Sequence, residues 1–516
     1  MRRWVNCFCL AALFAADPAN AAWYKAASKH FIIYADDNSK NLLDFATKLE
    51  RFDGAARVAM KMGDPPVGAD NRLTVFVLPT PADVRAAVGD KTSFSAGYYT
   101  GRVEGSLAYV PSETLRSSDN WLDDSYRSDA IFFHEYTHHL MMQDLRWPYP
   151  EWYVEGFAEF FSNPKFDRDG SVWFGLRPAA RRWGLSNGPE MPVETLLAGI
   201  TPAMSDNQRD IFYGRGWLLS HYLLMDRKRA GQLDKFILGL AGGLTEIDAA
   251  HQAFGDLSRL DRELDIYGHT QLSMFKVPAS AFGVGQIAVT RLSEGAARMM
   301  PVLARVKYGF EGEVAEALAN EARAIEKSYP GDELVEIALA EAELGAKHAG
   351  AAQAAAERAL AINPRNAAAL VLKGRALEEQ ADQAQGDKRI GLFSQARLVF
   401  VAANKLDRAD PDPLFEFYRT FVRTGERPSE NALAALHKAS DLAPQDLGLR
   451  MNSAIAYLNE GKFKEARATL TVVAYSPHAA SVGDLAKRMI ADIDTGRGKA
   501  ALDQLRDGAT PQPAPR

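Results

Sequence analysis

Short apolar runs and one long amphipathic stretch alternate over the first part of the chain. Phe31-Ile32-Ile33-Tyr34 is brief and rich in β-formers, which predicts a strand. Over residues 40–62, Leu42, Leu43, Phe45, Ala46, Leu49, Phe52, Ala56 and Ala59 recur at helical spacing and predict a helix. Leu73 to Leu78 is a second apolar strand, stopped by Pro79 and Pro81. Gly97 to Thr100 and Ser106 to Val110 are punctuated by glycine and read as a hairpin or adjacent edge strands. From 125 to 270 the pattern turns mostly helical. Ser128 suits an N-cap, with Asp129 in the first turn where the helix dipole favours an acid. That helix is expected to run to about Leu145, because Pro148 and Pro150 cannot continue it. Another is expected from near Glu151 to Asn163-Pro164.

Beyond about residue 300 the chain is rich in Ala, Leu, Glu, Arg and Lys, and it repeats. Prolines stand at 330, 364, 411, 444 and 477, in steps of 34, 47, 33 and 33 residues. The long step fits one unit with 13 extra residues, and the polar run Gln380 to Lys388 is the natural insertion. Ala359-Leu360-Ala361-Ile362-Asn363-Pro364 aligns with Ala439-Ser440-Asp441-Leu442-Ala443-Pro444, and Ala454 to Gly461 fits the start of a unit. These features resemble the tetratricopeptide repeat, a helix-turn-helix unit of about 34 residues. The resemblance covers about 310 to 480, four to five units. It implies an array that behaves as a separate unit, with a concave surface suited to a protein partner or an extended substrate.

Candidate chemistry concentrates at His134-Glu135-Tyr136-Thr137-His138. On a helix, positions i and i+4 share a face, so both imidazoles can reach one ion while Glu135 lies beside them as a base for water. Zinc is the expected metal, since it accepts nitrogen and oxygen ligands and keeps an open position in catalytic sites. Apolar flanks, Ile131 to Phe133 and Leu140 to Met142, place the motif in a buried helix. Three acids compete for the third ligand position: Glu151, Glu155 and Glu159. They are four residues apart, so one helix points them all to roughly the same side. Helix geometry alone does not separate Glu155 from Glu159. Gly156 beside Glu155 lets another backbone come close.

The two segments together, His-Glu-x-x-His followed by Glu155-Gly156-Phe157-Ala158, resemble the gluzincin zinc metallopeptidases, which include the aminopeptidase-N-like and thermolysin-like enzymes. The resemblance covers about 125 to 225. It implies Glu155 as the third zinc ligand and Glu159 as the acid that orients the first histidine. Phe212-Tyr213-Gly214-Arg215-Gly216-Trp217 resembles the segment whose tyrosine donates to the tetrahedral oxyanion, so Tyr213 takes that role; His221 is a weaker candidate. A third histidine six residues after His138, the metzincin pattern, is absent, since position 144 is Asp144. So is the Gly-x-Met-Glu-Asn segment with which aminopeptidase-N relatives capture a free amine. An endopeptidase reading therefore fits better, with Gly105 to Val110 as a segment for substrate strand addition.

Composition narrows the picture further. The chain has 516 residues and a net charge of −6, against a nucleic-acid binder, which would show a basic excess. Arg2 and Arg3, the apolar run Val5 to Ala16 and the small-x-small Ala19-Asn20-Ala21 read as an export signal. No later run is apolar for long enough to make a stable membrane span. Both cysteines, Cys7 and Cys9, fall inside that signal, so a metal must be held by histidine and carboxylate. The expected organisation is an α+β chain: signal peptide 1–21, an N-terminal α/β part 22–124, a mostly helical zincin domain 125–290, repeats 300–500 and a Pro-rich, disordered tail 508–516. The expected function is an exported, periplasmic or secreted zinc-dependent peptidase acting on protein or peptide. The alternative is a catalytically inactive zinc-binding and repeat scaffold in the cell envelope.

Overall fold

A computed structural model describes residues 23–69, 71–90, 97–113, 128–143, 148–201, 203–476, 479–503 and 505. The expected signal, Cys7, Cys9, Asp144, position 145 where the first motif helix was expected to end, Pro477 and the tail lie outside the described residues. Among these residues no helix is long and apolar enough to cross a membrane.

The N-terminal part is built on a six-stranded mixed sheet. In chain order its elements are β1 (Trp23–Ala27), β2 (Phe31–Asp36), helix α1 (Ser39–Met60), β3 (Leu73–Leu78), helix α2 (Pro81–Ala87), β4 (Tyr98–Thr100) and β5 (Leu107–Pro111). The late strand β9 (Ala288–Arg291) returns to it, and the spatial order is β4-β5-β3-β2-β1-β9. β2, β3 and β5 are parallel, while β4, β1 and β9 pair antiparallel with their neighbours. The predicted hairpin is thus present, but of its two strands β4 alone lies at the edge. β5 is paired on both sides, to β3 and to β4, so Gly105 to Val110 offers no open ladder for strand addition.

Alternation along each strand feeds two cores, because successive side chains point to opposite faces. Ile33, Ala35, Val75, Val77, Ala108 and Val110 face α1, where Phe45, Leu49 and Phe52 are buried. Asn38 caps α1 by accepting from the Asn41 N–H. Trp23, Tyr34, Phe76, Leu78, Leu107 and Tyr109 face the other way.

The helical middle comprises α3 (Ser128–Gln143), α4 (Glu151–Ser162), α5 (Arg182–Ser186), α6 (Val193–Leu197), α7 (Asp206–Met225), α8 (Gln232–Ala241), α9 (Glu246–Phe254) and α10 (Leu257–Gly268). The described part of α3 begins at Ser128, and the capping expected there lies outside what the described residues show. A small sheet, β6 (Lys165–Phe166), β7 (Val172–Phe174) and β8 (Phe275–Val277), interrupts the helices.

The C-terminal array stacks helix pairs: α11 (Glu294–Tyr308) with α12 (Gly312–Ser328), α13 (Glu333–Gly345) with α14 (Ala349–Ile362), α15 (Ala367–Asp382) with α16 (Gly386–Leu406), α17 (Asp412–Thr424) with α18 (Glu430–Leu442), and α19 (Leu447–Asn459) with α20 (Phe463–Ala474), followed by α21 (Ala480–Asp494). Pro330, Pro364, Pro411 and Pro444 all fall between one pair and the next. The extra residues of the long unit are not a loop. Gln380 to Lys388 spans the end of α15 and the start of α16, and α16 has 21 residues where α14 has 14. Longer helices pair most of the added backbone groups within the helix, and only 383–385 form the connection.

The array does not stand apart. Met299, Met300 and Leu303 of α11, Leu318 of α12 and Leu339 of α13 share one core with the outer face of the sheet. The break expected between 290 and 300 falls within this packing, since β9 ends at Arg291 and α11 starts at Glu294.

Candidate metal centre

Two helices carry the centre. The apolar positions of α3 anchor it to α1 and the sheet: Phe133 stacks on Phe52 at 4.4 Å, Tyr136 packs 5.0 Å from Phe31, and the Tyr136 hydroxyl donates to Asp53 at 2.8 Å. This turns His134 and His138, one helical turn apart, toward α4. The α4 helix in turn crosses α7 at glycine. A Cβ on Gly156 would lie 2.3 Å from the Gly216 carbonyl oxygen, and one on Gly216 would lie 2.8 Å from the Trp152 carbonyl oxygen. The close backbone approach expected at Gly156 is made by Gly216.

These packings bring three donor atoms together. His134 Nε2 and His138 Nε2 are 3.1 Å apart, and Glu155 Oε2 lies 3.2 Å from the first and 3.5 Å from the second. Three ligands about 2.0–2.1 Å from one tetrahedral ion stand about 3.3 Å from each other, which is the spacing seen. Glu155 Oε2 is buried and accepts no well-formed hydrogen bond. A buried carboxylate oxygen left so is costly unless a cation satisfies it. The residues therefore fit a divalent ion with nitrogen and oxygen ligands. Burial by itself would lower the His134 pKa, but contact with Glu155 and the charges of Glu159, Glu155 and Glu135 outweigh it and push it up to about 9. Burial would likewise raise the Glu155 carboxyl, yet His138 and His134 hold it well below its ordinary value. The local field favours positive charge.

The three competing acids separate in space. Glu151 Oε2 accepts the Ile200 N–H at 2.9 Å, which ties the start of α4 to the loop after α6. Glu159 Oε1 stands 3.4 Å from His134 Nδ1, on the side away from Glu155, and accepts from Arg181 Nε at 2.8 Å. Arg181 also reaches Asp210 at 3.2 Å, and its guanidinium lies 4.5 Å from the Tyr213 ring centre. Nothing local along the chain links Arg181 to the motif helix; only the tertiary fold brings it to Glu159. Tyr213 stands edge-on to His134, ring centres 6.3 Å apart. Burial and the charge of Glu155 push its phenol well above the ordinary value, with Arg181 opposing, so it stays a donor. His221 instead bonds the Tyr267 hydroxyl at 2.8 Å and the Ser273 carbonyl at 3.0 Å, as a core histidine.

Glu135 lines a narrow cleft between α3 and the β4–β5 hairpin, with Tyr98, Tyr99, Ala108 and Val110. Tyr99 spans that cleft, and its hydroxyl meets His139 Nδ1 at 2.7 Å. His139 faces away from the centre. Burial and the cations Arg57 and His30 hold its pKa down to about 3, so it is neutral.

Residues 430–487, from α18 into α21, match the tetratricopeptide repeat family model. No curated protein matches the chain. Among solved structures, a thermophilic tetratricopeptide-repeat protein of Thermus thermophilus is similar at 21% identity, covering 35% of this chain and 91% of that one, with a TM-score of 0.29. The family match lies wholly within the helical array, which therefore carries tetratricopeptide repeats, a module that typically binds protein partners.

Proposed function

We propose that the chain is a zinc-dependent peptidase whose ligands are His134, His138 and Glu155. The observation that carries this reading is the convergence of Nε2, Nε2 and Oε2 at 3.1, 3.2 and 3.5 Å, with Glu135 between the two histidines in sequence. Bound zinc supplies Lewis acidity and brings a water at its open position toward a neutral pKa. Glu135 takes the proton of the attacking water and returns it to the leaving amine. Tyr213, protonated, donates to the oxygen that becomes negative. Glu159, itself held by Arg181, fixes the ring of His134. β4 lines the cleft beside Glu135, where an extended substrate backbone would pass.

Glu135→Gln tests the reading. It should keep zinc and lose peptide hydrolysis by about two to four powers of ten, the scale of a positioned base. Wild-type protein that holds zinc yet cleaves nothing in a broad peptide library would favour the second reading, a catalytically inactive interaction scaffold. The repeat match at 430–487 supports protein binding, which both readings share. The export reading rests on residues 1–21 alone, and fractionation of tagged protein tests it.

A further inference from the structure

The turn joining β4 to β5 leaves the sheet and meets the array at the end of α11, at α15 and at the junction of α18 with α19. Arg102 donates from both terminal nitrogens to the carbonyls of Lys307 and Tyr308, each at 2.7 Å, at the end of α11. Val103 is 3% exposed and packs in a cluster with Leu436. Its N–H donates at 2.9 Å to Asp446, the residue that also caps α19. Glu104 pairs with Arg375 of α15 at 3.2 Å. A Cβ on Gly101 would lie 2.9 Å from the Gln445 carbonyl oxygen. Four consecutive residues thus engage three places in the array, the end of α11, α15 and the α18–α19 junction, by charge, by burial and by close backbone approach.

What they hold is the strand next to Glu135. β4 has three residues and, among the described strands, pairs with β5 alone. So short a strand is marginal by itself, and its position depends on what fixes its ends. Thr100, its last residue, runs directly into the anchored turn. We infer that residues 101–104 act as a built-in ligand of the repeat array, and that through them the repeats position β4 as one wall of the cleft beside Glu135. Arg102, Val103 and Glu104 are positioning residues, not catalytic ones. The positioning part of this inference rests on the peptidase reading; the capture of the turn does not. A partner binding where the turn binds must first displace it, so occupation of those positions and alignment of β4 exclude each other.

The test uses the full-length chain with zinc. Two variants break the anchors: Val103→Asp, which places a carboxylate beside Asp446, and the double variant Arg102→Ala/Glu104→Ala, which adds no charge to the apolar site and serves if the first disrupts the array. Backbone hydrogen exchange over residues 98–110 reports the hold directly. It should quicken by about tenfold or more while exchange in α1 and α3 and zinc content stay unchanged. Kinetics on an internally quenched peptide that wild type cleaves should show KM raised by about tenfold with kcat within about twofold. Unchanged exchange over 98–110 would overturn the capture of the turn. Faster exchange with unchanged KM would overturn the positioning. If wild type cleaves no peptide, the peptidase reading and the positioning fall together, and exchange still decides whether the repeats hold the turn.

Discussion

Gly156→Ala reads the crossing of α4 and α7 most directly. The added methyl would sit 2.3 Å from the Gly216 carbonyl oxygen, 2.4 Å from its carbon and 2.6 Å from Ser220 Oγ. An ordinary contact needs roughly 3.3 Å or more, and two of these atoms are backbone, so no rotamer change relieves the clash. The helices must part by on the order of 1 Å. Trp152, Phe212 and Trp217, all fully buried at this crossing, then lose part of their packing. Overpacking of this kind costs about 1–3 kcal/mol and occasionally more, and the rigidity of the obstacle puts it at or above the upper end. Alanine returns about 1 kcal/mol in helix propensity. The net loss is about 2–3 kcal/mol, or about 5–10 °C in the melting temperature of a domain of this size. A shift of that order also exceeds the roughly 0.2 Å tolerance of metal–ligand distances, so Glu155 should leave the ligand set and zinc affinity should fall by more than about tenfold. Thermal melts followed by circular dichroism and chelator competition measure both effects. Gly391→Ala, inside α16 with nothing within 4 Å of the added Cβ, is the control, and should be neutral or slightly stabilising. A Gly156→Ala protein that melts with wild type and keeps its zinc would refute the argument.

Three further outcomes follow from the geometry. In the ligand series, Glu155→Gln should lose most of its zinc, Glu159→Gln about 10–100-fold in affinity, and Glu151→Gln almost none; metal analysis showing zinc lost on changing Glu159 but kept on changing Glu155 would reverse the assignment. Ending the chain after Arg291 should give an aggregating or dye-binding protein, because it uncovers Trp23, Tyr34, Phe76, Leu78, Leu107 and Tyr109. At about 1.5–3 kcal/mol per large apolar side chain, that loss is comparable to a whole domain's stability of about 5–15 kcal/mol, and a soluble, cooperatively melting fragment would contradict the shared core. His30, buried between Glu50, Asp53 and Asp64, should make stability fall on the alkaline side. Burial would lower its pKa, but the Glu50 hydrogen bond and the charges of Asp53 and Glu50 raise it above 6.5, so its contribution is full below pH 6.5 and lost as pH rises through the raised value. For Glu50, burial would raise the pKa and His30 outweighs it, so that contribution is present above pH 4.5 and lost as pH falls through the lowered value. Denaturation midpoints should drop from about pH 5.5 to about pH 8.5 in wild type and less in His30→Gln; equal drops would exclude His30 as the cause.

What was legible in the sequence was what neighbours along the chain decide. Leu73–Leu78 is the strand its alternation predicts, and α1 runs from Ser39 to Met60 where residues 40–62 carry helical spacing. One helical turn between His134 and His138 suffices to place both rings on one face. The repeat shows because each unit must bury the same face against the next, and so the pattern recurs. Periodicity says which residues share a face, but not what that face meets. Glu151, Glu155 and Glu159 are equivalent by spacing, and only the docking of α4 against α3 sends Glu155 to the imidazoles, Glu159 to Arg181 and Glu151 to Ile200. Gly105 to Val110 looked like an open edge, and β4 closed it. The array looked separable because its contacts are mostly local. Yet α11, α12 and α13 cover the outer face of the sheet, whose large side chains need a lid wherever the chain supplies one, and Arg102 and Val103 reach residues more than 200 positions away. Those pairings depend on how preformed elements fit in three dimensions, which no local pattern encodes.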